Sequence, residues 1–600
     1  MKVKATVLAV AIAVSMPIAA LAENKKFTEL SQDFMYESLA SRPNLATCAG
    51  YHKHVHKRAK IIIELDGELD NLSAEQMQEQ IKFYTNWRDK FKREIDFKSL
   101  DKEELADWKL IDNQIAQNLL EYTSIKSYAR DPVQLPMMVA TALIQPLRAP
   151  DFSLDQKQKY VISRLKQVPL AIKQAKEVLH VTSPFLIESG LGATDNALGV
   201  IEQTLPRYVP RGTVNEPEFT KAARIAAEEL RQYGQWLRAQ KANLPASEPD
   251  DGWRLGKDLY DKKFALFFDS GSTPDQVLGE CEAEFKKVRA QMLTLAEPMY
   301  AKMFSVPLNN PNESAEDRQN RIIGAVLERI STEHPERTQL METIRADLDE
   351  VKKFVTKSKL VSLNKRMNLR VVPASDFYNW HTFAGLNSAP PLEPQVAADF
   401  WVMPISASMP DDKAESLLRE YNNYTLKWLV IHEALPGHYI QSERLNALQP
   451  VHRRLLRATF RNEAYVEGWA EYIAQEMMNS GFMQDEPKYK LCMHKIRLRL
   501  ITNTMLDIKM HTTKMTDQEA IELMMKGAFQ NMAEAQNKLK RVKLSSCHLP
   551  SYYVGMREWQ NLRAKQEKLK GKDFDAMTFH NKALDEGPLP VAMLEELLLP

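Results

Sequence analysis

Polar and apolar residues follow one another along most of this chain with the three-to-four-residue spacing of an amphipathic helix, and rarely with the alternation of a strand. Three long periodic stretches open on recognisable starts: Ser73-Ala74-Glu75-Gln76, Thr273-Pro274-Asp275-Gln276 and Thr516-Asp517-Gln518-Glu519. In each, a hydroxyl stands where it can accept from amides left unpaired in the first helical turn, and a Gln or Glu three residues on can reciprocate. Pro274 falls at the first helical position, where its missing N–H does no harm. Pro, Asn and acidic residues interrupt the periodicity at 245–252, 309–312 and 388–394. Strand-like patterning is scarce and clearest at 369–372 and 400–405, just upstream of the segment richest in chemistry. The pattern predicts a mainly α fold with a small β-sheet near the candidate site. The first break predicts a boundary between an N-terminal helical subdomain, residues 23–250, and a C-terminal region, residues 251–600.

The first 22 residues read differently. Lys2 and Lys4 precede an apolar run that ends in Ala20-Leu21-Ala22 before Glu23, the three-part form of a secretory signal peptide. Cleavage is predicted after Ala22. The run is short for a membrane span, and Ser15 and Pro17 interrupt it. No later stretch is apolar enough to cross a bilayer, so the mature protein is expected to be periplasmic or secreted, without stable membrane insertion.

At 600 residues the chain has ample material for a large core. The 80 Lys and Arg against 79 Asp and Glu leave a net charge of +1, which gives no support to a nucleic-acid partner. Cys48, Cys281, Cys492 and Cys547 are scattered without the close spacing of a thiolate zinc cage. Cys492 and Cys547 are the nearest pair in sequence, and their pairing is left open.

One segment concentrates the chemistry: His432-Glu433-Ala434-Leu435-Pro436-Gly437-His438. Two imidazoles that bind a metal and a Glu that activates water are the working parts of a zinc-peptidase helix. Here the histidines are six apart, so a straight helix would rotate one about 240° from the other and could not aim both at one ion. Pro436 lacks an N–H and Gly437 permits unusual dihedrals, which predicts a bulge or break between them. Downstream, Glu463, Glu467 and Glu471 stand four apart on one predicted helical face among Tyr465, Val466, Trp469 and Ile473. Their mutual repulsion would be relieved by a dication. A catalytic zinc takes three protein ligands and keeps a fourth position open. Glu467 is the choice for the third ligand after His432 and His438, with Glu471 one turn on as acceptor for an imidazole N–H.

Taken together, His432-Glu433-x-x-Pro436-Gly437-His438 and Glu467-Gly468-Trp469-Ala470 resemble the bacterial family known as domain of unknown function 885, assigned to the gluzincin-like zinc-peptidase superfamily. The resemblance runs through most of the mature chain and includes Asp507-x-x-x-His511, Tyr552-x-x-Gly555, and Phe579-His580 through Gly587-Pro588-Leu589-Pro590. It implies a large helical metallopeptidase-like fold with a deep cleft between two helical subdomains, similar in kind to angiotensin-converting enzyme and the thimet-type oligopeptidases. Related peptidases use such His and Tyr groups to stabilise an oxyanion, a role open to His511, with Asp507 four residues before it, and to Tyr552, alongside core or capping roles for each. Tyr439 stands where many members carry another His, and Lys509 replaces a usual Gly, departures that bear on specificity and on the geometry around His511.

The resulting expectation is an exported zinc-dependent peptidase acting on oligopeptides, with Zn²⁺ on His432, His438 and Glu467 and with Glu433 as general base. Residues 400–405 are expected to offer an edge to an extended peptide. The rivals are a non-catalytic peptide or cell-wall-fragment binding protein, and a metal-dependent amidase or esterase. His52, His54 and His56 are read as a solvated basic patch and His580 as a core histidine. Peptide preference, cleavage mode and oligomeric state are left open.

Overall fold

The structure is a computed structural model that describes residues 24–56, 60–244, 250–374 and 382–599. The segment read as a signal peptide lies outside these, as does most of the break at 245–252. The fold is mainly helical. All three predicted helix starts form: Ser73 caps Ala74–Glu94, and Thr273 and Thr516 make reciprocal boxes with Gln276 and Glu519. No helix among the described residues is long and apolar enough to cross a membrane.

Five strands are described. β1 (Lys53–His56) and β2 (Ile61–Glu64) form an antiparallel pair. β3 (Leu369–Pro373), β4 (Ala384–Asn387) and β5 (Ala398–Val402) form a second sheet in the order β3-β5-β4, with β5 parallel to β3 and antiparallel to β4. The strand expected at 400–405 therefore begins two residues earlier and stops sooner. Met403 still donates its N–H to Phe383, at 2.7 Å, and Pro404, having none to donate, ends the ladder. β5 is also the central strand, bonded on both sides, so it offers no free edge. The edges are β3 and β4.

Three apolar clusters form among the described residues, two of them large and a smaller one around Leu506, Met510 and Val542. Residues 135–237 pack around Val139, Leu165, Ile172, Leu230 and Tyr233. The larger core joins Phe34, Trp87 and Ile111 near the N-terminus to Phe400, Ile431, Trp469 and Trp559. Buried charge ties the same parts together. Arg457, fully buried, meets Asp107 at 2.9 Å and Glu103 at 2.8 Å, and also reaches the Glu586 carbonyl.

The closest helix crossing lies at the heart of this core. Helices Glu463–Asn479 and Pro550–Lys570 touch backbone to backbone where Gly468 meets Gly555. A Cβ on Gly468 would lie 2.2 Å from the Gly555 carbonyl carbon, and one on Gly555 would lie 1.9 Å from the Ala464 oxygen. No rotamer relieves a clash with main chain, so only glycine permits this approach. The rings of Trp469 and Trp559 then pack at 5.0 Å, and the Trp559 indole N–H reaches the Tyr465 carbonyl at 3.1 Å.

Gly555→Ala is accordingly expected to lower stability by about 3 kcal/mol or more, the upper range for overpacking. Gly279→Ala, on a helix face with nothing within 4 Å, is expected to raise it by about 0.5–1 kcal/mol. Chemical denaturation of the two variants measures the contrast, and similar effects would contradict the close crossing.

Candidate metal centre

The break between the histidines forms, and its geometry explains the six-residue spacing. Helix Asn423–Glu433 is capped by the Asn422 side chain, which accepts from Tyr424 and Thr425. It ends when Ala434 leaves helical space at φ −110°, ψ −92°, and the Leu435–Pro436 bond is cis. The Gly437 N–H turns back to the Ile431 carbonyl at 3.0 Å, and a new helix, His438–Ala447, begins at once. A Cβ on Gly437 would lie 2.0 Å from the His432 oxygen, so the doubled-back chain requires glycine. Trp469 holds the turn from the neighbouring helix, its indole N–H donating to the Pro436 carbonyl at 2.9 Å.

This turn brings His432 and His438 face to edge, with their Nε2 atoms 3.2 Å apart. Glu467 Oε2 completes a triangle, 3.6 Å from His432 Nε2 and 3.4 Å from His438 Nε2. Ligands bound to zinc at about 2.0–2.1 Å in a tetrahedron stand about 3.3–3.4 Å from one another. The three atoms thus already have the spacing of three tetrahedral corners. Glu467 Oε2 is buried and has no hydrogen-bond partner, which fits an atom whose partner is a cation. These three residues are the metal-competent group found among the described residues. His438 and Glu467 are each 14% exposed and His432 is 6% exposed, so the triangle is largely buried.

The remaining ring nitrogens face polar side chains. His432 Nδ1 lies 3.3 Å from Glu471 Oε1 without making a hydrogen bond, and the other Glu471 oxygen accepts from Trp428 Nε1 at 3.3 Å. His438 Nδ1 lies 3.0 Å from Gln441 Oε1. Such contacts fix which nitrogen faces the metal position. Gln441 was missed from sequence, although its place three residues after His438 on one helix puts it on the same face. Glu463, the third member of the acidic row, turns instead to Arg461 at 2.9 Å.

Burial disfavours charge on His432, but the carboxylates of Glu467 and Glu471 outweigh it and push the imidazole up to about 10. His438 is raised as well, against burial, chiefly by Glu467. Burial alone would raise the Glu467 carboxyl, yet the two histidines hold it well below the usual range. Without a cation the cluster is therefore an imidazolium–carboxylate network.

Around the triangle, Glu433 is half-buried, outside the converging atoms, and its charge acts on both histidines. The Tyr552 ring lies parallel to His432 with centroids 6.4 Å apart, and its phenol is raised by burial and by Glu467. His511 and Asp507 are placed elsewhere. His511 is buried against Tyr260 and Trp253, with Nε2 toward the carbonyls of Val542 and Ser545 and Nδ1 facing the Leu255 N–H. Asp507 does not orient it but accepts from the Tyr260 hydroxyl at 2.6 Å and the Cys547 N–H at 2.9 Å. Both ring nitrogens of His511 are engaged with backbone, which favours the core role over the oxyanion role. The group that accompanies Tyr552 is His548, whose ring is 6.1 Å from the phenol and whose Nε2 is 2.6 Å from Arg541. Its spacing four residues before Tyr552 was the available signal.

Other histidines resolve simply. His580 is a core residue bonded to Leu360 and Tyr472. The patch at 52–56 is not uniformly solvated, because His52 sits between Asp66 at 2.9 Å and Glu393 at 3.2 Å and His54 is buried beside Tyr51. The four cysteines are free thiols.

A family model described as "Bacterial protein of unknown function (DUF885)" matches residues 43–598. No curated protein matches the chain. Among solved structures, a "putative lipoprotein of unknown function" from Shewanella oneidensis is 29% identical, with a TM-score of 0.81 over 96% of this chain and 100% of its own. A "putative lipoprotein" from Colwellia psychrerythraea shares the fold at 14% identity, with a TM-score of 0.75 over 95% of this chain and 97% of its own.

A divalent cation entering the triangle must displace the proton that His432 carries below about pH 10. Calorimetric titration of chelator-stripped protein with Zn²⁺ is thus expected to show proton release at neutral pH and an affinity that rises with pH. His438→Ala should abolish stoichiometric uptake. An affinity flat from pH 6 to 9, or uptake retained by His438→Ala, would contradict the assignment of ligands.

Proposed function

The chain belongs to the bacterial DUF885 family of unknown function, and we propose that it is an exported zinc-dependent peptidase that hydrolyses short peptides. The observation that carries this reading is the largely buried triangle of His432 Nε2, His438 Nε2 and Glu467 Oε2, at tetrahedral spacing, with a half-buried carboxylate next to it in the chain. The resemblance to gluzincin-like peptidases supports the same reading. Zinc bound there would polarise a peptide carbonyl and lower the pKa of a water.

The chain's own residues supply the rest. On its helix Glu433 projects about 100° away from His432, so it is placed to take a proton from the attacking water and pass it to the leaving amine. Glu471 and Gln441 hold the imidazoles in orientation. The Tyr552 phenol, kept protonated by burial and by Glu467, is a hydrogen-bond donor for a developing oxyanion. β4 packs against helix Asn423–Glu433 and has one edge not bonded to β5, so an extended peptide adds there and not at β5. Export rests on the signal-like segment from Lys2 to Ala22 and on solved neighbours described as lipoproteins.

Glu433→Gln is expected to keep its zinc and its peptide affinity while turnover falls by about 10²–10⁴-fold, the range for loss of a general base. Tyr552→Phe is expected to lower kcat by about 10²-fold with zinc retained. Metal analysis combined with a peptide-library digest checks both. A wild-type protein that binds peptides without cleaving any would be a binding protein, and one that cleaves only esters or non-peptide amides would be a different hydrolase. Loss of zinc from Glu433→Gln would make that residue a ligand or support.

A further inference from the structure

A band of cations lies beside the candidate centre and is only partly neutralised. Helix Met532–Leu544 presents Glu534, Lys538 and Arg541 at positions i, i+4 and i+7, hence on one face. Helix Pro487–Thr512 brings Lys495 and Arg499 to the same region. Two carboxylates serve the second pair: Glu420 meets Lys495 at 3.1 Å and Arg499 at 3.6 Å, and Glu534 meets Arg499 at 3.3 Å. Lys538 and Arg541 have no ion pair among the described residues, and both are half-buried. The nearest polar partner of Arg541 is a histidine, His548.

Both ends of this band reach the metal triangle. Arg499 lies over the Trp428 ring at 5.3 Å, and that ring is 5.0 Å from His432. Arg541 bonds His548, which packs on Tyr552, which lies parallel to His432. Burial, then Arg541 and Arg499, push the Lys538 ammonium down to about 7, while Glu534 and Glu420 pull the other way. Lys495, Arg499, Lys538 and Arg541 thus share the carboxylates of Glu420 and Glu534, and a half-buried excess of positive charge is unfavourable unless a ligand supplies a further anion. Glu467 does not supply it, since its buried oxygen is directed at the histidines.

We infer that Lys538 and Arg541 form a carboxylate-binding subsite beside the candidate metal centre, so that preferred substrates are peptides carrying a free carboxylate within about two residues of the bond cleaved. The inference rests on the peptidase reading and adds to it the substrate class. The carboxylate is either the peptide C-terminus or an Asp or Glu side chain, since both present the same planar pair of oxygens to a guanidinium and an ammonium.

Two matched peptide series separate the sources: free acid against C-terminal amide, and Glu against Gln within two residues of the cleaved bond. For the wild-type protein, kcat/KM is expected to favour the carboxylate form at least tenfold in one series or both. In Lys538→Gln and Arg541→Gln that ratio is expected to collapse toward one, mainly through KM, while Lys538→Arg preserves it. Thermal melting of each variant separates loss of fold from loss of the subsite. Binding of the same pairs to zinc-loaded protein, followed by calorimetry, reads the subsite without turnover. A protein that binds carboxylate peptides preferentially but cleaves none retains the subsite and loses the peptidase reading. Equal handling of both forms by the wild-type protein, a ratio unchanged in the two Gln variants, or no binding of either form overturns the subsite.

Discussion

The backbone contact between Gly468 and Gly555 is the constraint on which the site depends. It draws helix Pro550–Lys570 against helix Glu463–Asn479 closer than any side chain would allow. The three residues around the contact then act together. Glu467 faces the histidines, Gly468 admits the neighbouring helix, and Trp469 donates to the Pro436 carbonyl and pins the turn that separates His432 from His438. Tyr552 stands three residues before Gly555, so the same crossing sets the phenol beside His432. Widening this crossing by the size of a methyl group would move ligand, pin and phenol at once.

A second glycine constraint, at Gly437, solves a problem of angle. Six helical residues point the histidines apart, and the chain returns them to one point by folding back on the His432 carbonyl. Burial then makes the electrostatics demanding. Two imidazoles and the Glu467 carboxylate share a small volume and perturb one another's protonation, and Glu471 adds to the upward push on His432. A buried network of this kind is stable only when every charge is answered. Glu471 faces His432 and Gln441 bonds His438, while His432 Nδ1 and Glu467 Oε2 remain without a hydrogen bond.

Much of this was legible in the sequence where the cause is local. Helix starts at Ser73, Thr273 and Thr516 are written by hydroxyl and carboxamide or carboxylate spacing, and the break at Pro436-Gly437 follows from covalent limits on those two residues. The candidate metal-binding triangle was legible because His, His and Glu each sit in a motif. What failed depended on tertiary neighbours. The residues at 400–405 read as a strand, but nothing in them shows that β3 and β4 would flank β5 on both sides. His511 and Asp507 have the spacing of an oriented imidazole, yet the arriving backbone at Val542, Ser545 and Cys547 claims both. His548 and Arg541 were passed over because each lies in an ordinary helix-and-turn stretch and gains meaning only from proximity to Tyr552.

In the proposed site, His432 Nε2, His438 Nε2 and Glu467 Oε2 hold one metal ion together. X-ray diffraction from crystals of the zinc-loaded protein, with data collected on both sides of the zinc absorption edge, tests it most directly. The account predicts a single anomalous peak about 2.0–2.1 Å from His432 Nε2, His438 Nε2 and Glu467 Oε2. A peak held by other residues, or none at these three, would contradict it.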